Sequence, residues 1–136
     1  MAVNISGKYV GDLKIELTHG PSGKQLRTAA PVDNQGDGSS FSPTDLVAAA
    51  LGACMVTLMG MAAKQTGINL EGLSFSLEKH MESNPRRIGS IPVRIQMPAG
   101  LSSEERLKLE RAALTCPVCS SLPPELERPI EFEYPD

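Results

Sequence analysis

Apolar and polar residues alternate along the first thirty positions with the period of two that half-buried strands show. The apolar positions are Val3, Ile5, Leu13, Ile15 and Leu17. Glycine-containing turns interrupt the alternation, and residues 24–30 continue it as a third strand. Turn-forming residues are then dense over residues 31–40. The pattern therefore predicts three N-terminal strands followed by a flexible loop.

A long apolar helix follows this loop. Ser42 is the expected N-cap, Pro43 suits the first turn because it needs no N–H there, and Asp45 is placed to bond back to the cap. The helix is expected to run from Pro43 to about Thr66 and to end before Gly67. Its interior is apolar on all sides, which in a soluble protein predicts a helix buried on every face. One short chain can hardly bury it alone, so we infer a homodimer whose interface includes this helix.

Strand-like alternation returns in the second half of the chain, over residues 73–77 and 91–97. A turn over residues 83–87 would join these two strands as a hairpin. A capping box at Ser102 opens a second helix, and residues 129–134 form a final strand. Because strands and helices come in blocks rather than in strict alternation, the predicted class is α+β, with an antiparallel sheet backed by two helices.

Composition narrows the functional classes. The length of 136 residues predicts a single domain over residues 1–136. A net charge of −3, with no basic run, gives no reason to expect a nucleic acid or an anionic membrane as partner. No apolar run reaches the length of a membrane span without polar interruption, and the N-terminus lacks the apolar core of a signal peptide. A cytoplasmic location is therefore expected.

Three cysteines, Cys54, Cys116 and Cys119, are all the thiols of the chain. Cys54 lies within the apolar helix, where its spacing alone favours an inert, buried cysteine. As a thiolate the same residue would be a strong nucleophile. The C-x-x-C pair of Cys116 and Cys119 follows the second helix and is suited to close a small disulfide or to bind a metal. Spacing leaves these interpretations open.

Other chemistry finds little support in the sequence. A structural zinc site needs four ligands, and only His19 and His80 add to the cysteines, in no further metal-binding spacing. The chain has no G-x-S-x-G motif for a serine hydrolase. We expect neither a metal nor another cofactor.

Two segments resemble the OsmC/Ohr family of cysteine-based peroxidases. They are residues 41–54 (FSPTDLVAAALGAC) and, about sixty residues later, residues 115–118 (TCPV). The proline-containing cap, the alanine-rich run into a helical cysteine and the distant Cys-Pro element occur together and in order. The resemblance covers residues 41–122 and implies the OsmC-like fold, with a long central helix in a swapped, intertwined dimer.

The resemblance also implies an activity. Cys54 would be the peroxidatic thiolate that attacks an organic hydroperoxide, and Cys116 would resolve the resulting sulfenic acid as a disulfide. An external dithiol or a lipoyl protein would then reduce that disulfide. The implied role is defence against oxidative stress.

The chain departs from the peroxidase pattern beside the cap. Peroxidase members have a glutamate directly after the cap proline and an arginine before it, and both act on the thiolate. Here the glutamate position is Thr44, while Asp45 is better explained as the capping carboxylate. The nearest arginine, Arg27, fits a solvated strand residue better. The alternative hypothesis is an OsmC-like protein that binds a small apolar ligand between subunits, with redox-sensing or vestigial thiols.

Cys119 is a second departure, because the family usually has another residue type at this position. It is suited either to exchange with Cys116 after the first disulfide has formed or simply to fill a turn. The sequence favours neither interpretation over the other.

Overall fold

The structure, a computed structural model, describes residues Met1–Asp136, which form two compact units, Met1–Val47 and Ala48–Asp136. The strands are β1 (Ile5–Gly11), β2 (Lys14–His19), β3 (Gln25–Ala29), β4 (Ser74–Leu77), β5 (His80–Glu82), β6 (Arg87–Ser90), β7 (Val93–Gln96) and β8 (Ile130–Glu133). The helices are α1 (Pro43–Thr66), α2 (Ser103–Leu114) and α3 (Pro117–Ser121), with a 3-10 turn at Val32–Asn34. The α+β class is confirmed. The single-domain assignment stays a prediction.

The N-terminal unit contains the three strands that alternation predicts, paired as an antiparallel sheet in the order β1-β2-β3. Directly opposed residues project from the same face of a sheet, and the register places Tyr9 opposite Ile15 and Leu17 opposite Leu26. This apolar face stays largely open to solvent: Tyr9 is 64% exposed and Leu26 is 47% exposed. An uncovered apolar sheet face is typical of a surface that meets a partner.

The predicted hairpin of the second half is confirmed as the antiparallel pair β4 and β7. Between them the chain forms a further two-stranded hairpin, β5 with β6, which sequence analysis missed. The last strand, β8, pairs with β7 in parallel. The expected antiparallel sheet is therefore wrong for this pair. Two helices intervene between β7 and β8, and such a crossover returns the chain in its original direction.

Helix α1 has the bounds that its caps predict, and the single chain covers only one of its faces, as expected for a chain too short to bury this helix alone. One face is buried in the core together with β7 and α2, through Ala48, Leu51, Met55, Met59 and Ala63. The opposite face is exposed, at Ala50, Ala53, Thr57 and Met61. One chain supplies a single layer for the helix to pack on, so only one face is covered. The dimer stays a prediction.

By length and composition α1 is also apolar enough to cross a membrane, a test that the core helix of a soluble protein passes as well. Its buried face belongs to one core cluster that includes Ile91, Val93, Ile95 and Leu109. This packing is typical of a core helix.

Candidate functional site

Helix α1 presents Cys54 at the margin of its buried face, where the residue is half-buried and packs against the core. Two residues earlier, Gly52 lets the ring of Phe75 from β4 lie directly on the helix. A Cβ at Gly52 would lie 2.6 Å from Cδ2 of that ring and closer still to Cε2. Glycine is therefore required here for a close approach, and this approach fixes the position of α1, and of Cys54, relative to β4.

Cys116 is positioned by a sharp change of chain direction between two helices. Helix α2 begins with the predicted capping box at Ser102 and ends at Leu114. Pro117 then opens α3, with Cys116 as its N-cap. Proline suits this position because its missing N–H would be unpaired there anyway. The segment expected as a turn is thus a short helix, and its cap cysteine is 0% exposed.

The fold brings Cys54 and Cys116 together although they are far apart in the sequence. The Cys116 thiol and the backbone N–H of Val118 both lie close enough to the Cys54 sulfur to shift the pKa of its thiol. Both cysteines are free thiols and belong to the same unit of one chain. The two cysteines are therefore neighbours within one chain.

Burial is the main influence on the Cys54 thiol and raises its pKa. The neighbouring Cys116 raises this pKa further, because its sulfur can accept the Cys54 S–H, which favours the protonated form, and because negative charge on Cys116 would repel a thiolate. The Val118 N–H acts in the opposite direction, since a peptide N–H stabilises the thiolate that it points at. The groups that act on this pKa include no cation. Cys54 is therefore mainly a neutral thiol at neutral pH.

Cys119 lies one helical turn after Cys116, within α3. Its backbone N–H donates to Cys116 Sγ over 3.4 Å, which is the capping bond of that helix. The Cys119 side chain is partly buried against the core. Cys116 thus lies beside Cys54 in space and one helical turn before Cys119 in the sequence.

The residues singled out beside the helix cap have other partners. The Ser42 N–H donates to Asp45 Oδ2 over 2.8 Å, and Ser42 Oγ accepts from the Asp45 N–H over 3.1 Å, so the capping role of Asp45 is confirmed. Thr44 Oγ1 lies 3.2 Å from Ser42 Oγ. Arg27 pairs across the sheet with Glu16 over 3.4 Å and is 57% exposed, as expected for a solvated strand residue. Their auxiliary role at the thiols stays a prediction.

Sequence analysis missed the backbone N–H of Val118. The signal for it is present in the sequence, because a proline directly after Cys116 marks the first turn of a helix, where N–H groups have no partner within the helix. Recognition of Pro117 as the start of a further helix would have identified a donor beside the thiols.

Two other features of the surface do not involve the thiols. An open groove of about 610 Å³ runs between the end of α1 and the first turns of α2, and its lining includes Glu104, Lys108 and Arg111 but no cysteine. No three His, Cys, Asp or Glu side chains lie together as a metal site would require. The thiols are the chemically distinctive group of the protein.

Comparison with known proteins gives a consistent assignment. The sequence model of the OsmC-like protein family matches residues 36–128. A solved structure from Psychrobacter arcticus 273-4, named for osmotic stress induction and a detoxification response, is 35% identical with a TM-score of 0.90, over 95% of this chain and 94% of that one. No curated protein sequence matches the chain.

More distant solved structures share the fold. An organic hydroperoxide resistance protein OsmC from Legionella pneumophila is 16% identical with a TM-score of 0.77, over 98% of this chain and 97% of that one. An organic hydroperoxide resistance protein from Elizabethkingia anophelis is 15% identical with a TM-score of 0.73, over 98% and 96%. At these identities the likeness establishes the fold alone.

Proposed function

Because this chain belongs to the OsmC-like protein family, we propose that it is a thiol-dependent peroxidase that reduces organic hydroperoxides in defence against oxidative stress. Cys54 is the peroxidatic residue and Cys116 the resolving residue. The observation that carries the proposal is the proximity of these two thiols inside one chain. Two solved relatives that share the fold are named for organic hydroperoxide resistance, which supports the same substrate class.

The proposed reaction has two thiol steps. The Cys54 thiolate attacks the terminal oxygen of the hydroperoxide, so an S–O bond forms, the O–O bond breaks, and the alcohol leaves after taking up a proton. Cys116 sulfur then attacks the Cys54 sulfenic acid, forming the disulfide and releasing water. An external dithiol or a lipoyl protein returns both cysteines to thiols. The apolar packing around Cys54 favours an organic hydroperoxide over a polar one.

Activation of Cys54 has to come from the Val118 N–H and from the substrate complex. Burial raises the pKa of the Cys54 thiol, so the thiolate is a minor species in the free protein. A peptide N–H directed at the sulfur favours the anion, and it would also stabilise Cys54 as a leaving thiolate during reduction. The proposed enzyme therefore relies on a backbone dipole where a carboxylate and an arginine would otherwise serve.

A homodimer is part of the proposal. The face of α1 that carries Ala50, Ala53, Thr57 and Met61 is exposed in the single chain although its residues are small or apolar. The N-terminal sheet also exposes an apolar face. Surfaces of this kind are typical of subunit interfaces. We also place the protein in the cytoplasm, where the three thiols would be kept reduced between turnovers.

The test follows the loss of cumene hydroperoxide in the presence of a small dithiol. Wild-type protein is expected to turn over, and Cys54→Ser is expected to be inactive because its hydroxyl does not form the anion near neutral pH. In Cys116→Ser the first turnover is expected to leave a sulfenic acid that dimedone traps at Cys54. Turnover by Cys54→Ser equal to that of the wild type contradicts the proposal.

The second candidate function is the binding of a small apolar ligand between subunits, with thiols that sense redox state or are vestigial. The raised pKa of Cys54 favours it, as does the pairing of Arg27 with Glu16 rather than with a carboxylate at the helix cap. Native mass spectrometry of the purified dimer distinguishes the two. A retained apolar ligand in wild type and in Cys54→Ser alike, with no peroxide loss, supports binding.

A further inference from the structure

We propose that Cys119 is a second resolving thiol, which attacks the Cys54–Cys116 disulfide and moves it to the Cys116–Cys119 pair, so that Cys54 is released within the same chain. This inference rests on the peroxidase function proposed above and extends it. It assigns chemistry to the one thiol that the two-cysteine reaction leaves unused. It also makes Cys116 the sulfur through which both disulfides pass.

The position of Cys116 Sγ carries the argument. This sulfur lies beside the Cys54 thiol, whose pKa it raises. It also accepts the backbone N–H of Cys119 over 3.4 Å, so the residue that carries the third thiol is held against Cys116. Thiol–disulfide exchange needs one sulfur that can bond to either of two others, and Cys116 is the cysteine that neighbours both.

The local backbone permits the second disulfide. Cys116 caps α3 and Cys119 lies in its first turn, three residues later. Cα atoms three residues apart in a helix are about 5 Å from each other, which is within the range of about 4.4 to 6.8 Å found for disulfides. The segment therefore does not have to unfold to close the Cys116–Cys119 bond.

The exchange is balanced without a further oxidant. Cys119 gives up its thiol proton to solvent, and its thiolate attacks Cys116 Sγ. The Cys116–Cys119 bond forms while the Cys54–Cys116 bond breaks, and Cys54 leaves as a thiolate towards which the Val118 N–H already points. No net oxidation or reduction occurs in this step, because the hydroperoxide supplied the oxidising equivalents earlier.

The transfer of the disulfide from Cys54–Cys116 to Cys116–Cys119, which we call the relay, has a measurable consequence in the absence of reductant. Once Cys54 is free again, it can react with a second molecule of hydroperoxide. Each wild-type chain is therefore expected to consume about two equivalents, ending with the Cys116–Cys119 disulfide and a Cys54 sulfenic acid. A chain without Cys119 stops at the Cys54–Cys116 disulfide after about one equivalent.

The experiment uses the full-length, fully reduced protein, a small excess of cumene hydroperoxide, an acid quench and alkylation with N-ethylmaleimide. Tryptic cleavage separates the thiols usefully, because Cys54 falls within residues 28–64 while Cys116 and Cys119 share residues 112–136. A Cys54–Cys116 bond joins two peptides. A Cys116–Cys119 bond stays inside one. The variants are Cys119→Ser and, as a matched control in the same short helix, Ser121→Ala.

Wild type and Ser121→Ala are expected to consume about two equivalents and to show the internal disulfide, whereas Cys119→Ser consumes about one and accumulates the joined peptides. Equal consumption by wild type and Cys119→Ser, with the joined peptides in both, overturns the relay while the peroxidase function stands. A Cys54–Cys119 bond in the wild type also overturns it. Alkylation of all three thiols without any peroxide loss overturns the peroxidase function itself, and the relay with it.

Discussion

Substitution of Gly52 by alanine tests how the fold positions Cys54. The added Cβ would lie 2.6 Å from Cδ2 of the Phe75 ring and closer still to Cε2, in a buried part of α1. To accommodate it, the ring or the helix has to move. A shift of α1 away from β4 would also carry Cys54 away from Cys116. Gly52→Ala is therefore expected to lower both the stability of the protein and the rate at which the Cys54–Cys116 disulfide forms.

The magnitude follows from two opposing contributions. Overpacking of a core by one methyl group costs about 1 to 3 kcal/mol. Replacement of glycine by alanine inside a helix gains about 0.8 to 1.0 kcal/mol. The net effect of Gly52→Ala ranges from near neutral to a loss of about 2 kcal/mol. A matched control isolates the steric contribution. At Gly60, in the same helix, an added Cβ meets nothing within 4 Å, so Gly60→Ala is expected to gain about 1 kcal/mol.

Urea unfolding of the two variants gives the comparison directly. Gly52→Ala is expected to be less stable than Gly60→Ala by about 1 to 3 kcal/mol, which is the steric contribution alone. Protomer concentrations have to be equal, because the stability of an oligomer depends on concentration. If Gly52→Ala has a free energy of unfolding equal to or above that of Gly60→Ala, the close approach of Phe75 does not constrain this helix, and the reasoning is refuted.

Three further predictions concern the cap, the thiol and the exposed helix face. Ser42→Ala removes a buried N-cap and is expected to cost about 1 to 2 kcal/mol in urea unfolding; an equal loss for the exposed Ser40→Ala would contradict this. Because the pKa of Cys54 is raised, its alkylation by iodoacetamide is expected to rise about tenfold per pH unit from pH 6 to beyond 8; a plateau below pH 8 argues against it. In sedimentation velocity, Ala53→Arg is expected to yield monomers and Leu107→Arg, on α2, to remain dimeric; a dimeric Ala53→Arg places the interface elsewhere.

Local chemistry made the helices predictable. The N-terminal ends of α1 and α2 follow from reciprocal bonds between a serine and a carboxylate three residues later, and such bonds depend on neighbouring residues only. Alternation likewise indicated the three N-terminal strands and the pair of β4 with β7. Where neighbours in the chain determine the structure, the sequence was sufficient.

Features that depend on distant residues were not predictable in the same way. The parallel return of β8 depends on the path through α2 and α3, which no local pattern records. The sequence indicated that one chain would leave part of α1 uncovered, but an all-round apolar helix does not reveal that the exposed face is the one with Ala53 and Met61. The contact of Cys54 with Cys116 followed only from the family resemblance. Spacing alone left Cys54 as an inert core residue.

Complete burial of Cys116 makes this thiol a reporter of local unfolding in the segment around it. A reagent reaches a sulfur that is 0% exposed only when the surrounding segment opens. Cys119 is partly accessible, so it provides an internal reference for the reaction with the same reagent. The ratio of the Cys119 labelling rate to that of Cys116 gives the opening equilibrium of the segment around α3. The protein thus carries, without any engineered label, the means to measure how often the surroundings of Cys116 open.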